Sequence, residues 1–462
     1  MSKKKNSSYI YVITIVATLG GLLFGYDTAV ISGAEKSIQA YLINGLDLGS
    51  LAHGATVSSA LIGCIIGGAI SGLFALKFGR RNSLIMAAGL FFLSALGSGN
   101  PEFLFFTKGE PSMSLLYMFN FYRIVGGIGV GLASAICPMY ISEIAPENIR
   151  GRLISFNQFA IIFGMLVVYF VNWGIAEGRS IEWINEVGWR YMFFSEAIPA
   201  VIFGTLLFFV PESPRYLAIN NKTERALDIL TKINGAVKAQ EIITAIQTSI
   251  TRSSAKLLSY GKTVLIIGVL LLVFQQFVGI NVALYYAPRI FESMGAAKDA
   301  SMMQTVVMGL VNVVFTVIAI LTVDKWGRKP LLIIGSAGMA IGMISISMLS
   351  FFNVIGTATL VFIIIYTASF MMSWGPICWV LIGEIFPNKI RGRAIALAVA
   401  AQWISNYFIS SSYPAMMEFS GGLTYLFYGT MSTLSAIFVW KMIPETKGKT
   451  LEEMEDLWTK SS

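Results

Sequence analysis

Charge and sulfur are scarce in this chain. Of its 462 residues only 13% are Asp, Glu, Lys or Arg, and it has three cysteines and one histidine. Cys64, Cys137 and Cys378 stand singly in apolar runs without Cys-x-x-Cys spacing, which excludes a zinc ribbon or a disulfide scaffold. They read as buried thiols that pack like small apolar side chains. His53 has no metal-ligand partner nearby in sequence and reads as a solvated loop residue. No Asp-x-Asp or His/Asp grouping offers catalytic carboxylates or a metal cluster, so neither an enzyme nor a cofactor is expected.

Apolar residues fill the space that charge leaves. They make up 55% of the chain, and the mean hydropathy is +0.71. A soluble domain cannot hide that much apolar surface, whereas a bilayer accepts it. Runs long enough to span recur about twelve times, which predicts an all-α membrane protein of twelve transmembrane helices. The hydrophilic stretch 211–261 divides six spans from six. This sets expected segments at 1–210, 211–261, 262–443 and a tail at 444–462. Lys3, Lys4 and Lys5 precede an uncleaved first helix in this reading, since the run is too long for a signal peptide and contains Asp27.

The net charge of +8 does not imply nucleic acid. Most Lys and Arg fall in alternate loops, the positive-inside pattern, which places both termini in the cytoplasm. A basic patch for DNA would gather on one folded domain instead. Nucleotide binding is not expected either. Gly127-Ile128-Gly129-Val130-Gly131 lies inside a span with no strand before it, so it reads as small-residue helix packing. Gly261-Lys262-Thr263 and Gly448-Lys449-Thr450 lack the upstream glycine of a phosphate loop.

The chain repeats itself. Glu143-Ile144-Ala145-Pro146 through Arg150-Gly151-Arg152 returns as Glu384-Ile385-Phe386-Pro387 through Arg391-Gly392-Arg393, 241 residues on. Gly79-Arg80-Arg81 returns as Gly327-Arg328-Lys329, and Pro211-Glu212-Ser213-Pro214-Arg215 is echoed by Pro444-Glu445-Thr446-Lys447-Gly448. Two like halves in a membrane imply a pathway between them that either half can close. Arg81, Glu143, Arg150, Glu212, Arg328, Glu384 and Arg391 are read as a cytoplasmic charge network. It would hold the inner ends of the halves together when the protein faces outward. Single surface pairs contribute only about 0–1 kcal/mol, so the network must act together. Segments after Pro211 and at Leu451–Trp458 read as amphipathic helices on the cytoplasmic surface.

Ionisable groups inside spans are few and costly. Asp27, Arg123 and Glu196 lie within apolar runs, where Asp or Arg costs about 2.5–3.5 kcal/mol at a helix centre. Asp27 and Arg123 either neutralise each other or form a proton site in which Asp27 alternates between protonated and Arg-paired states. The functional reading is preferred. Amides populate the second half: Gln275, Gln276 and Asn281 around Gly279, and Gln402 with Trp403 and Asn406, matched by Gln158 in the first half. On an ideal helix Gln276 and Asn281 stand about 140° apart, so they converge only if the helix breaks near Gly279. Ser373-Trp374-Gly375-Pro376 marks a second break, with Trp379 one turn on. Broken helices at mid-membrane are where transporters bind substrate. Amides suit a neutral polyhydroxylated ligand, and Trp offers a face for its C–H side.

The strings Gly20-Gly21-Leu22-Leu23-Phe24-Gly25-Tyr26-Asp27, Pro211-Glu212-Ser213-Pro214-Arg215, Gln275-Gln276-Phe277-Val278-Gly279-Ile280-Asn281 and Pro444-Glu445-Thr446-Lys447-Gly448 resemble the sugar porter family of the major facilitator superfamily. The likeness spans essentially the whole chain. Within the family it is to bacterial D-xylose:proton symporters, across Phe156-Asn157-Gln158-Phe159-Ala160-Ile161-Ile162-Phe163-Gly164. The resemblance implies two six-helix bundles and an alternating-access cycle in a bacterial inner membrane, carried out by a monomer. It implies a monosaccharide against Gln158, Gln275, Gln276, Asn281, Trp379 and Gln402, with Phe24, Met165, Tyr285, Gly375 and Trp403 lining the pocket. It implies that Asp27 takes the proton, restrained by Arg123 and assisted by Glu196. Two departures stand out. Ala75-Leu76-Lys77-Phe78 lacks the acidic residue that Asp324 supplies in the second copy, and Met165 stands where the resemblance implies a second glutamine. An apolar side chain there favours a substrate with a C6 group, so a hexose such as glucose or galactose stands second to xylose. A proton-independent uniporter is the other alternative.

Overall fold

In the bilayer every backbone N–H and C=O must be paired within its own segment, which leaves the helix as the solution for runs of this length. The computed structural model of the chain describes residues 2–103, 105–146, 149–250, 257–293, 295, 297–354, 356–387 and 390–447. Twelve helices among them are long and apolar enough to cross a membrane. The first six are Tyr9–Leu46, Ser50–Lys77, Arg80–Gly99, Met113–Ile144, Arg150–Ala176 and Ile181–Leu207. The other six are Thr263–Tyr285, Ala300–Val323, Arg328–Phe351, Ala358–Ile385, Arg391–Phe419 and Gly421–Met442. They form two six-helix bundles, and large apolar side chains such as Leu73, Phe208, Phe209 and Leu321 point outward. Those side chains would be a liability in water and are at home in lipid.

Glycine sets the closest approaches. A Cβ on Gly127 would collide with the Ala60 carbonyl, and one on Gly131 would crowd Cys64 and Gly67, so the second and fourth spans touch backbone to backbone. The glycine-rich string at 127–131 is therefore packing surface, as its place in a span predicts. A Cβ on Gly54 would collide with the Ser411 carbonyl, which brings the second and eleventh spans equally close, across the two halves.

Two spans are broken where their sequence predicts it. The seventh runs as a helix over Thr263–Phe277, turns through Gly279 at φ +89, and resumes over Ile280–Tyr285. Only glycine adopts that left-handed turn without strain. The tenth breaks at Ser373 (φ −132, ψ −85), between Thr357–Met372 and Trp374–Ile385. Between the halves, the helices Pro214–Ile219, Thr223–Asn234 and Ala236–Ile250 close a small apolar cluster of Leu217, Ala218, Ala226, Leu230, Ala239 and Ile243. The expected helix at Leu451–Trp458 lies outside the described residues.

The loops bearing Arg80, Arg150, Arg328 and Arg391 lie at one end of the bundles, here called the basic face. His53 lies toward the opposite face, and its expected exposure is corrected. It is fully buried, with Nε2 3.2 Å from the Glu35 carbonyl. The first span continues to Leu46 and the second begins at Ser50, so the residue sits on a helix rather than in a loop.

Candidate functional site

The break at Gly279 turns five residues of ordinary helix into a fold-back that gathers amides. Asn281 Nδ2 donates to Gln276 Oε1 at 2.5 Å, the convergence that an unbroken helix forbids. Gln276 Nε2 donates to Gln275 Oε1 at 3.3 Å, and Gln402 Nε2 on the eleventh span donates to the same oxygen at 2.7 Å. Gln275 Nε2 in turn donates 2.8 Å to the Trp374 carbonyl, in the first turn after the break in the tenth span. The two broken helices and the eleventh span thus share one amide chain. Gln402 Oε1 and the Trp403 indole N–H are buried without a partner among the described residues. Buried polar atoms of that kind mark where a hydroxylated ligand gains most.

Other expected lining residues fall at different distances from this cluster. Phe24 of the first half meets Trp403 of the second, ring centroids 5.9 Å apart. Tyr285 is buried and accepts from Asn406 Nδ2 at 3.5 Å. Gly375 is buried beside Phe370. Gln158 is half-buried on the fifth span, and Met165, seven residues on, is buried where that span meets Gly25 of the first. Trp379 is 38% exposed and outside the hydrogen-bonded amide chain. Trp374 joins that chain through its backbone carbonyl, while its indole N–H donates 2.8 Å to Ser336 Oγ on the ninth span.

In the first half, Arg123 donates 2.7 Å to Asp27 Oδ1 and 3.3 Å to the Asp27 carbonyl, with both side chains at most 2% exposed. Its guanidinium lies 5.3 Å from the Phe193 ring centroid. Glu196, fully buried at an interruption of the sixth span, lies against the Asp27 carboxyl, and neither of its oxygens is hydrogen-bonded to another described residue. Asp27 and Arg123 are the charged groups that act on it. Two carboxyls and one guanidinium therefore share a dry pocket. Removing one partner of such a cluster leaves a charge that the interior cannot solvate.

On the basic face the repeated motifs build two copies of one lattice. Arg80 Nη2 donates 2.8 Å to Glu143, and Ser213 Oγ donates to the other oxygen of that carboxylate. Glu212 accepts the backbone N–H groups of Arg80 and Arg81 at the start of the third span. In the second half Arg328 donates 2.8 Å to Glu384, Thr446 takes the place of Ser213, and Glu445 accepts the N–H groups of Arg328 and Lys329. Carboxylates at helix N-termini satisfy donors that have no partner inside the helix. Burial pushes the Glu445 carboxyl up, but these N–H donors outweigh it and hold the group below the usual carboxylate range.

One expectation about this lattice is corrected. Arg80, not Arg81, carries the ion pair, because it is the one turned inward; Arg81 offers its backbone and reaches the Val210 carbonyl. The Arg80–Glu143 and Arg328–Glu384 ion pairs each lie within one half. Arg150 donates to the Ala145 carbonyl and Arg391 to that of Phe386, each tying the turn before its own span. Ser213, Thr446 and Glu445 join this lattice as well, though they are not among the candidates read from the sequence. The alignment of Pro211–Arg215 with Pro444–Gly448 was the signal for all three.

Comparison with known proteins agrees with this geometry. The sequence profile described as "Sugar (and other) transporter" matches residues 13–458. The chain is 53% identical over 479 residues to the D-xylose-proton symporter of Escherichia coli (strain K12), covering 99% of this chain and 97% of that one. Its structure is similar to the inward open conformation of the xylose transporter XylE from E. coli, with TM-score 0.89, 51% identity, and coverage of 97% of this chain and 100% of that one. It is also similar to the proton:xylose symporter XylE bound to 6-bromo-6-deoxy-D-glucose, with TM-score 0.84, 52% identity, and coverage of 98% and 100%. With twelve spans, two bundles of the major facilitator type and these matches over nearly its full length, the chain belongs to the sugar (and other) transporter family and is a transporter rather than an enzyme.

Proposed function

We propose that the protein carries D-xylose into a bacterial cell together with a proton, by alternating access, with the basic face and both termini in the cytoplasm. In this reading residues 1–210 and 262–443 are the two moving bundles, 211–261 is the cytoplasmic linker and 444–462 a cytoplasmic tail. The protein works as a monomer in the inner membrane. The similarity to a D-xylose-proton symporter supports the substrate pair.

One observation carries the proton-coupled part: Asp27, Arg123 and Glu196 in one dry pocket, with two acids to a single base. A proton on Asp27 removes its hold on Arg123. The guanidinium then turns toward Glu196, which neighbours Asp27, and the first and fourth spans are free to shift. Sugar binds to the amide chain of Gln275, Gln276, Asn281 and Gln402, with Gln158 and Trp379 closing on it from either side. The bundles rock, and sugar and proton leave on the basic face. One proton moving through 100 mV yields about 2.3 kcal/mol, enough for roughly fifty-fold accumulation.

The test is uphill transport in proteoliposomes across a panel of pentoses and hexoses, with external pH recorded. Asp27→Asn is expected to lose all accumulation above equilibrium while keeping sugar counterflow. Accumulation that survives the change sinks Asp27 as the proton site, and transport without sugar-evoked alkalinisation favours a uniporter.

A hexose is the second reading. It is favoured by apolar Met165 on the same helix face as Gln158, and by the hexose derivative bound in the similar structure. Met165→Gln is then expected to lower the hexose-to-xylose transport ratio several-fold. An unchanged ratio removes Met165 as the selector.

A further inference from the structure

A second set of charges lies on the face opposite the basic loops, and no repeat motif marks it. Glu35, late in the first span and fully buried, accepts from Arg289 Nε at 2.9 Å and Nη2 at 2.7 Å. His53 Nε2 lies 3.1 Å from the same carboxylate. Arg289 also donates to Gln39, and Lys36 pairs with Glu292 beside it. Glu35, Lys36, Gln39 and His53 belong to the first half; Arg289 and Glu292 belong to the second, just past the seventh span. Behind them the Tyr286 ring stands edge-on to His53, centroids 6.1 Å apart, and 4.7 Å from Tyr413. The glycine contact between Gly54 and Ser411 lies one residue beyond His53.

We infer that Glu35, Arg289 and His53, with the rim pair Lys36–Glu292, form an outer latch that holds this face shut and is released once in every transport cycle. A brace inside one half can stay closed throughout the cycle. A pair that joins the halves cannot, because the halves must part here to admit sugar. The order of charges also fixes the register of closure. Acid then base on the first span meets base then acid on the second half. A shift in one direction would set Glu35 against Glu292, and a shift in the other would set Lys36 against Arg289, like against like in either case. The two-pronged contact of Arg289 adds direction as well as attraction. His53 is a positioning residue: its ring reaches Oε2 of the carboxylate, the oxygen that also accepts from Arg289 Nη2.

The inference rests on alternating access but not on which sugar is carried, and the test keeps the two apart. Ala287, 1% exposed beside Tyr286, is replaced by cysteine as a reporter; the three native cysteines are buried. A membrane-impermeant maleimide is added from the side opposite the basic loops, and the labelling rate is read. Glu35→Gln is expected to speed labelling about tenfold, since it removes the charge from a buried pair that only the closed state makes. Arg289→Gln is expected to match it. The double variant should be no faster than either single one, because both remove the same contact. Lys36→Met at the half-exposed rim should give about a two- to threefold rise.

An unchanged rate in Glu35→Gln, or a double variant that multiplies the single effects, overturns the latch. Should the Glu35 variants fail to reach the membrane, Lys36→Met decides, and an unchanged rate there overturns it. Fast labelling in a protein that moves no sugar would count against the transport reading and leave the latch standing.

Discussion

The two faces of this protein use the same residue types in opposite ways. On the basic face, Arg80–Glu143 and Arg328–Glu384 each close within one half, capped by Glu212 and Glu445 at matching helix starts. On the other face, Glu35–Arg289 and Lys36–Glu292 join one half to the other. The first arrangement keeps a bundle rigid whichever way the pathway opens. The second reports which way it is open. Charge count and burial alone would not separate these roles; the half to which each partner belongs does.

The sharpest way to break this comparison is to remove one pair of each kind and read two quantities, thermal stability in detergent and sidedness of labelling at Ala287→Cys. Glu143→Gln leaves Arg80, 5% exposed, without its carboxylate and is expected to cost about 3 kcal/mol of stability while leaving sidedness unchanged. Glu384→Gln should cost less, about 1 kcal/mol, because its side chain is 28% exposed and water replaces part of the contact. A change in labelling from either variant would mean that the basic-face lattice also senses the open state, and the division between faces would fail.

Acid provides a milder probe. Glu102, in the loop after the third span, is pushed up by burial. The Arg190 fork at 2.5 and 2.6 Å and the Tyr41 hydroxyl outweigh that and hold it below the usual carboxylate range. Glu445 is lowered by backbone N–H donors. Carboxyls depressed by folding contribute stability that is present above their ordinary value of 4.5 and lost as pH falls below it. The melting temperature should therefore fall as pH drops below about 4.5, where the unfolded chain takes up protons that the folded carboxyls still exclude. Glu102→Gln should flatten that slope more than Glu445→Gln, since Glu102 is the more deeply buried of the two. Both groups act within one half, so sidedness should again stay constant.

The sequence made some of this legible and hid the rest for physical reasons. Twelve spans were readable because the bilayer admits few alternatives to an apolar helix. The fold-back at Gly279 was readable because Gln276 and Asn281 could not otherwise meet. The choice of Arg80 over Arg81 was not, because neighbours at a helix start differ by about 100° and packing decides which turns inward. His53 was misread because the first span runs well past the apolar stretch that announced it, and so pulls the following loop along the chain. Glu35 and Arg289 were passed over for another reason. They are 254 residues apart, they match no repeat, and nothing local at either position foretells the other. The roles given to Asp27 and to the amides rest on geometry that agrees with the resemblance, and transport measurements decide them.

The distance along the chain between Asp27 and Arg123 bears on how the protein is made. The two are 96 residues apart, so at about 5–20 residues per second the first span emerges from the ribosome several seconds before its guanidinium partner exists. During that interval a lone acid must be carried into lipid by the apolar surroundings of one helix, at about 2.5–3.5 kcal/mol. The 38 residues of Tyr9–Leu46 supply those surroundings. The length of this helix thus serves biogenesis as well as the finished protein.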